Sequence, residues 1–173
     1  MLKTAGGRDE RLYHLGYALE RLRGTFFRQT MFGEFELQAH DAVERGEPLS
    51  GKRFTEIYFK LLRQYHGSEQ GVMAIDPTVC QEWAFISHFY RPFYVYQYAT
   101  SISAAQYFAD QILAGKPGAL ETYLGVLKSG GAVPPYALLK RAGLDMASAA
   151  PYEAVVRRMN SIIDEMERLL DPR

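Results

Sequence analysis

The sequence predicts an all-α fold, a multi-helix packed domain, and three observations carry that prediction. Apolar residues recur at helical spacing in most segments, prolines and glycines stand between those segments, and no runs pair convincingly as strands. At 173 residues, with 47% hydrophobic and 23% charged content, the chain suits one domain spanning 1–173 with a sizeable core.

Taken in order, the segment from Arg8 to about Glu44 contains no proline, and Leu12, Leu15, Leu19, Leu22, Phe26 and Phe27 recur at helical spacing. It reads as one long helix or two stacked in line. Gly24 and Gly33 each weaken such a helix by about 1 kcal/mol relative to alanine, so they mark close packing or a bend. Gly46 and Pro48 end it. Ser50 then caps a helix carrying Phe54, Ile57, Tyr58, Leu61 and Leu62 on one face and stopping at Gly67. Val72–Ile75 is a short apolar link. Asp76-Pro77 restarts a helix, an N-cap acid followed by proline at the first helical position, and that helix runs through Trp83 to about Ile86.

Pro92 opens the next long helix, which continues through Ser103, Ala104, Ala105, Phe108 and Ile112 to Gly115. Its small residues permit close helix contact. Pro117 starts a segment with Leu120, Tyr123, Leu124 and Leu127 on one stripe, closed by Gly130-Gly131. Pro134-Pro135 forms a rigid corner before a short helix ending near Gly143. The last helix spans Pro151 to Leu170, with Val155, Val156, Met159, Ile162, Ile163, Met166 and Leu169 as its buried stripe.

Composition narrows the function classes. Twenty basic residues balance twenty acidic ones, so nothing in the bulk charge points to nucleic acid or an anionic membrane as partner. No apolar run approaches the length of a membrane span, and Arg8, Asp9, Glu10 and Arg11 stand where a signal peptide would have its apolar core. The single cysteine, Cys80, reads as a buried apolar thiol and precludes an intrachain disulfide. A reducing, cytoplasmic location is expected.

The segment richest in chemistry is His88-Phe89-Tyr90-Arg91-Pro92-Phe93-Tyr94-Val95-Tyr96-Gln97-Tyr98, with one imidazole and four phenols in eleven residues. Each phenol needs a hydrogen-bond partner once it leaves water, so tyrosines this dense point to a polar, ligand-facing wall. Imidazole and phenol together can bind a carbonyl oxygen or stabilise an oxyanion. On one helix Tyr90, Tyr94 and Tyr98 would share a face and Tyr96 would point elsewhere. The competing reading makes them core and helix-interface aromatics, with His88 a satisfied structural histidine. None of His14, His40, His66 or His88 lies four residues from another, so these residues hold no H-E-x-x-H zinc helix. The acidic pairs Asp9/Glu10, Glu34/Glu36 and Glu165/Glu167 diverge on a helix and read as solvated faces. His40 and His66 lie near expected helix ends, where a cation satisfies terminal carbonyls.

Arg23-Gly24-Thr25-Phe26-Phe27-Arg28-Gln29-Thr30-Met31-Phe32 and the following Glu34-Phe35-Glu36 resemble the start of the C-terminal region of the oligoendopeptidase F family. The resemblance continues through His88 to Thr100, Leu127-Lys128-Ser129-Gly130-Gly131, and Leu138 to Met146. It covers nearly the whole chain, in order.

The resemblance implies a C-terminal part of a mostly helical zinc metallopeptidase whose channel admits oligopeptides. The zinc ligands and the catalytic glutamate of H-E-x-x-H would then lie on a missing N-terminal catalytic portion, and this chain alone would bind no metal. It further implies that His88 hydrogen-bonds the substrate backbone and that Tyr96 donates to the tetrahedral oxyanion. Tyr94 and Tyr98 are the alternatives for that donor, and Tyr90, Tyr94 and Tyr98 are expected to contact the peptide. The spacing from histidine to tyrosine is shorter than in the thimet oligopeptidase branch, and Ser87 stands where the family pattern has proline. The alternative function is a non-catalytic helical module that binds peptides or self-associates as a homodimer through an exposed aromatic face.

Overall fold

The computed structural model describes residues 6–171, and among them are seven α-helices and no strand. The order is α1 (Arg8–Leu22), a π turn (Arg23–Phe27), α2 (Arg28–Glu44), α3 (Gly51–Tyr65), α4 (Tyr96–Leu113), α5 (Ala119–Lys128), α6 (Pro135–Arg141) and α7 (Ala150–Leu170), with 3₁₀ segments at Pro77–Phe85 and Ser87–Tyr90. The all-α expectation holds. The residues form two compact units, one from Phe27 to Ala99 and the other from the chain before and after it.

In the Phe27–Ala99 unit, α2 contributes Met31, Phe32 and Phe35 and α3 contributes Ile57, Tyr58, Leu61 and Leu62 to one core that also takes in Val95. Both sets follow helical periodicity, which puts them on facing stripes. Phe54, Trp83, Ile86 and Phe89 pack around them. Two carboxylates beside this core, Glu82 and Glu34, are paired. Tyr58 Oη donates to Glu82 Oε2 at 2.6 Å, and Arg28 pairs with the same carboxylate. Against the cost of burial, these donors hold the Glu82 carboxyl below its usual range, while burial and Glu82 push the Tyr58 hydroxyl well above its own. Tyr65 Oη donates to Glu34 Oε2 at 2.8 Å, so Glu34 is engaged rather than a free solvated carboxylate.

The expected caps form. Ser50 Oγ accepts from the Arg53 N–H at 3.2 Å, and Asp76 Oδ1 from the Thr78 N–H at 2.8 Å. The winding after Asp76 differs from expectation: Pro77–Phe85 is a 3₁₀ helix, not an α-helix. Nine residues that side chains from α2 and α3 anchor can take this tighter winding, because tertiary contacts replace what the poorer backbone hydrogen bonds lose. Gly67, at φ 61°, ends the α3 region in the left-handed conformation that glycine adopts without cost. Cys80 is half-buried rather than sealed in a core.

The other unit rests on α1 against α7. Leu15, Leu22, Val155 and Ile162 are its buried centre, with Leu19, Phe26, Met159, Met166 and Leu169 packed around them. The stripe on α7 is narrower than expected. Val155, Met159, Ile162, Met166 and Leu169 follow the 3.6-residue period toward α1, but Val156 and Ile163 fall one position past it and are exposed. Arg8 Nε donates to the Leu169 carbonyl at 2.6 Å, satisfying an oxygen at the end of α7, and Arg11 pairs with Glu165. A second cluster joins Phe108, Leu144, Tyr123, Val126 and Leu139. It splits the expected α5 stripe: Tyr123 packs inward with Val126, while Leu120, Leu124 and Leu127 are exposed.

Candidate functional site

The segment Ile86–Tyr98 lies wholly in the Phe27–Ala99 unit and is shaped by two local choices. Ser87–Tyr90 forms a single 3₁₀ turn, and Arg91, preceding proline, is extended at φ −116° and ψ 96°. Arg91–Tyr94 is then a tight turn, closed by the Tyr94 N–H donating to the Arg91 carbonyl at 3.2 Å. Pro92 takes its second position and Phe93 the third, at φ 55°. That third position normally takes glycine or asparagine. A phenylalanine there costs about 1–2 kcal/mol. α4 therefore begins at Tyr96, not at Pro92 as expected, because a left-handed residue cannot continue an α-helix.

This corrects the helical-face reading of the tyrosines. Tyr90 is cut off from Tyr94 and Tyr98 by the turn; it is 83% exposed and lines a cavity of about 350 Å³ with Phe35, Phe54, Trp83 and Phe89. His88 is brought to Tyr94 and Tyr98 instead. The His88 and Tyr94 rings stack with centroids 5.7 Å apart, and the Tyr98 ring stands edge-on to both, at 6.0 and 5.6 Å. Tyr98 Oη lies 3.5 Å from His88 Nε2 and donates to Tyr94 Oη at 3.4 Å. If His88 carries its proton on Nε2, donors run from His88 to Tyr98 to Tyr94 and leave the Tyr94 hydroxyl proton free to donate outward. Tyr94 raises the affinity of Tyr98 for its own proton. The Arg91 guanidinium sits 5.9 Å from the centre of the Tyr94 ring. Within this chain His88 and Tyr98 are exposed and Tyr94 is half-buried, so none of the three belongs to the chain's own buried core.

Tyr96 stands apart from the trio. It is 48% exposed, and its Cβ approaches α2 at Gly33, where an added Cβ would come within 3.2 Å. Close packing, one of the two expectations for Gly33, is thereby met; Gly24 instead lies in the π turn with nothing near its missing Cβ. α2 also carries two groups whose surroundings differ from expectation. Glu36, expected on a solvated face, is only 5% exposed, and its Oε1 accepts the Phe93 N–H at 3.0 Å. Burial raises the affinity of its carboxyl for a proton, with the Phe93 amide, the His40 imidazole and the Val95 amide opposing that shift. His40, expected as a helix-end cation, lies over the Phe93 ring with centroids 4.6 Å apart. His66 does meet the helix-end expectation: its Nδ1 is 2.9 Å from the Leu62 carbonyl oxygen. The spacing of Gly33, Glu36 and His40, at i, i+3 and i+7, was the available signal that they share a face.

Among the described residues, no group of three or more His, Cys, Asp and Glu side chains is arranged to hold a metal ion. No helix among them is long and apolar enough to cross a membrane.

Residues 8–158 match the model of peptidase family M3. The chain belongs to that family. This M3 chain is 45% identical over 171 residues to oligopeptidase PepF of Bacillus subtilis, covering 98% of this chain and 25% of that protein. It is 34% identical over 171 residues to the chromosomal oligoendopeptidase F of Lactococcus lactis subsp. cremoris, covering 99% and 28%. The crystal structure of oligoendopeptidase-F from Enterococcus faecium superposes with a TM-score of 0.90 at 38% identity, covering 99% of this chain and 32% of that one. A putative peptidase from Chlamydophila abortus gives the same TM-score and identity, covering 98% and 28%. The M3 chain thus spans about a quarter of the length of the curated relatives it matches. The fold is that of part of a zincin-type oligopeptidase.

Proposed function

We propose that this chain is part of a zinc metalloendopeptidase that hydrolyses oligopeptides, and that it supplies one wall of the substrate channel. The observation that carries the reading is the match of nearly the whole chain to oligoendopeptidase-F at a TM-score of 0.90. Family membership brings zinc with it in the complete enzyme. The described residues offer no ligand set for the metal, so we assign its ligands to the remaining portion of the protein and derive no step through it.

This chain's own residues bind and donate. His88 hydrogen-bonds the peptide backbone. Tyr96 donates its phenolic proton toward the oxygen on which negative charge develops as the scissile carbonyl becomes tetrahedral. Tyr94 and Tyr98 hold His88 in place and offer further hydroxyls to the peptide, and Tyr90 extends the contact surface. The half-exposed Tyr96 ring and the exposed His88–Tyr98 edge support this reading, since groups meant for a substrate must be reachable. A cytoplasmic location fits the single, half-buried Cys80.

The test is Tyr96→Phe in the complete enzyme, with hydrolysis of a quenched-fluorescent oligopeptide as readout. Loss of one oxyanion donor lowers kcat by about 10²-fold with KM little changed. Wild-type kcat in the Phe variant would remove Tyr96 from that role. A second reading, a non-catalytic module that binds peptides or self-associates, draws on the exposure of Phe85, Tyr90, Val72 and Met73. Sedimentation that shows a concentration-independent monomer counts against the self-associating form.

A further inference from the structure

We propose that Glu36 is a positioning residue for the aromatic wall: the α2 face formed by Gly33, Glu36 and His40 holds the Phe93–Tyr96 segment in its left-handed turn and thereby sets where Tyr94 and Tyr96 stand. The inference rests on the proposed role of that wall in peptide hydrolysis.

Three contacts from one helix face converge on four consecutive residues. The Phe93 N–H donates to Glu36 Oε1 at 3.0 Å. The Phe93 ring meets the His40 ring in a tilted contact, with centroids 4.6 Å apart. The Tyr96 backbone and Cβ close on Gly33, where a methyl group would meet Tyr96 Cβ at 3.2 Å. Between the first and last of these contacts, Val95 is buried in the core.

Phe93 needs such a restraint. It is the non-glycine residue at positive φ among the described residues, and an unrestrained phenylalanine would relax to negative φ. That relaxation would swing Tyr94 away from His88 and shift the start of α4 at Tyr96. An oxygen that accepts the Phe93 amide proton supplies this restraint, and a carboxyl oxygen can accept it whether the group is ionised or protonated.

Glu36 is also a poor choice for any purely packing role. Its Oε2 is buried and makes no full hydrogen bond among the described residues, the nearby Val95 amide offsetting only part of a burial cost that an apolar side chain would avoid. Burial accordingly favours the protonated form, as its raised proton affinity reflects. Retaining a carboxyl there makes sense if its other oxygen is needed for the Phe93 amide.

The experiment uses the complete zinc-loaded peptidase and reads two quantities for each variant: hydrogen exchange at the Phe93 amide, and kcat and KM on a quenched-fluorescent oligopeptide. In Glu36→Ala, Phe93 exchange is expected to rise at least about tenfold as the local structure opens. In the same variant kcat is expected to fall by about 10²-fold, since misplacing catalytic groups by about 1 Å has that effect. Glu36→Gln keeps an oxygen acceptor for the Phe93 amide and is expected to restore both quantities most of the way.

Unchanged Phe93 exchange in Glu36→Ala overturns the proposal. So does a kcat that falls equally in Ala and Gln variants, because that pattern needs the charge and not the hydrogen bond. Raised exchange with undiminished kcat, while Tyr96→Phe also leaves kcat intact, overturns the functional reading of the wall and leaves the turn restraint standing. Should Glu36→Ala not fold, Gly33→Ala tests the same face: it presses on Tyr96 alone, and the expectation is lower kcat at wild-type KM with Phe93 exchange unchanged. Wild-type kcat in Gly33→Ala would mean that the face does not set the position of Tyr96.

Discussion

At the scale of single residues, the proposed wall depends on where a few protons reside. Tyr98 both faces His88 and donates to Tyr94, so Tyr98→Phe breaks the relay while sparing the ring contacts. Because these groups are assigned to peptide binding, KM is expected to rise more than kcat falls, and steady-state kinetics of the complete enzyme checks it. Glu36 and Glu82 should respond to pH with opposite signs. Glu36 has a proton affinity raised in the fold, so its stabilising contribution is present below the ordinary carboxyl value of 4.5 and is lost as pH rises through its higher folded value. Glu82 has a lowered one, so its contribution is present above 4.5 and is lost as pH falls through its depressed folded value. Urea unfolding of wild type, Glu36→Gln and Glu82→Gln across that range measures both: the advantage of wild type over the first shrinks with rising pH, and over the second it grows. The density of phenols around His88 is plain in the sequence. The burial of Glu36 is not, because burial depends on what packs over a residue and Glu36 sits beside the accessible Leu37 and Gln38 in an ordinary helical run.

At the scale of elements, the decisive feature is the Arg91–Tyr94 turn. Pro92 suits both the first turn of a helix and the second position of a tight turn, and local pattern alone favours the helix. A glycine or asparagine at residue 93 would have signalled the turn; phenylalanine conceals it. Phe93→Asn therefore should raise stability by up to about 1 kcal/mol, since asparagine tolerates the left-handed region, and chemical denaturation measures it. A lower midpoint would mean that the ring contact with His40 outweighs the backbone strain. Capping behaves more simply. Ser50→Ala removes the side-chain acceptor for the Arg53 N–H and should cost about 1 kcal/mol in the same assay. Ser50 and Asp76 were legible because a cap is a local matter between residues two or three apart. The exposure of Val156 and Ile163 was not, because hydrophobicity alone does not say how wide a stripe the partner helix covers.

At the scale of the whole molecule, the proposed wall comes with no metal site among the described residues. The isolated chain is expected to take up no stoichiometric zinc in equilibrium dialysis and to leave an oligopeptide uncleaved. Adding the preceding portion of a related family M3 enzyme is expected to yield both zinc binding and hydrolysis. Zinc retained by the chain alone would overturn the assignment of the ligands to the rest of the protein. By itself the sequence determined the all-α class, the positions of most helices and the family, because helical periodicity, caps and breakers are encoded between near neighbours and motif order survives in one dimension. Only the tertiary structure decided that His88 joins Tyr94 and Tyr98 rather than Tyr96, and that Glu36 turns inward to hold Phe93. The reason is that both depend on a left-handed residue whose strained conformation the packing of α2 against residues 93–96 sustains, against the local preference of phenylalanine.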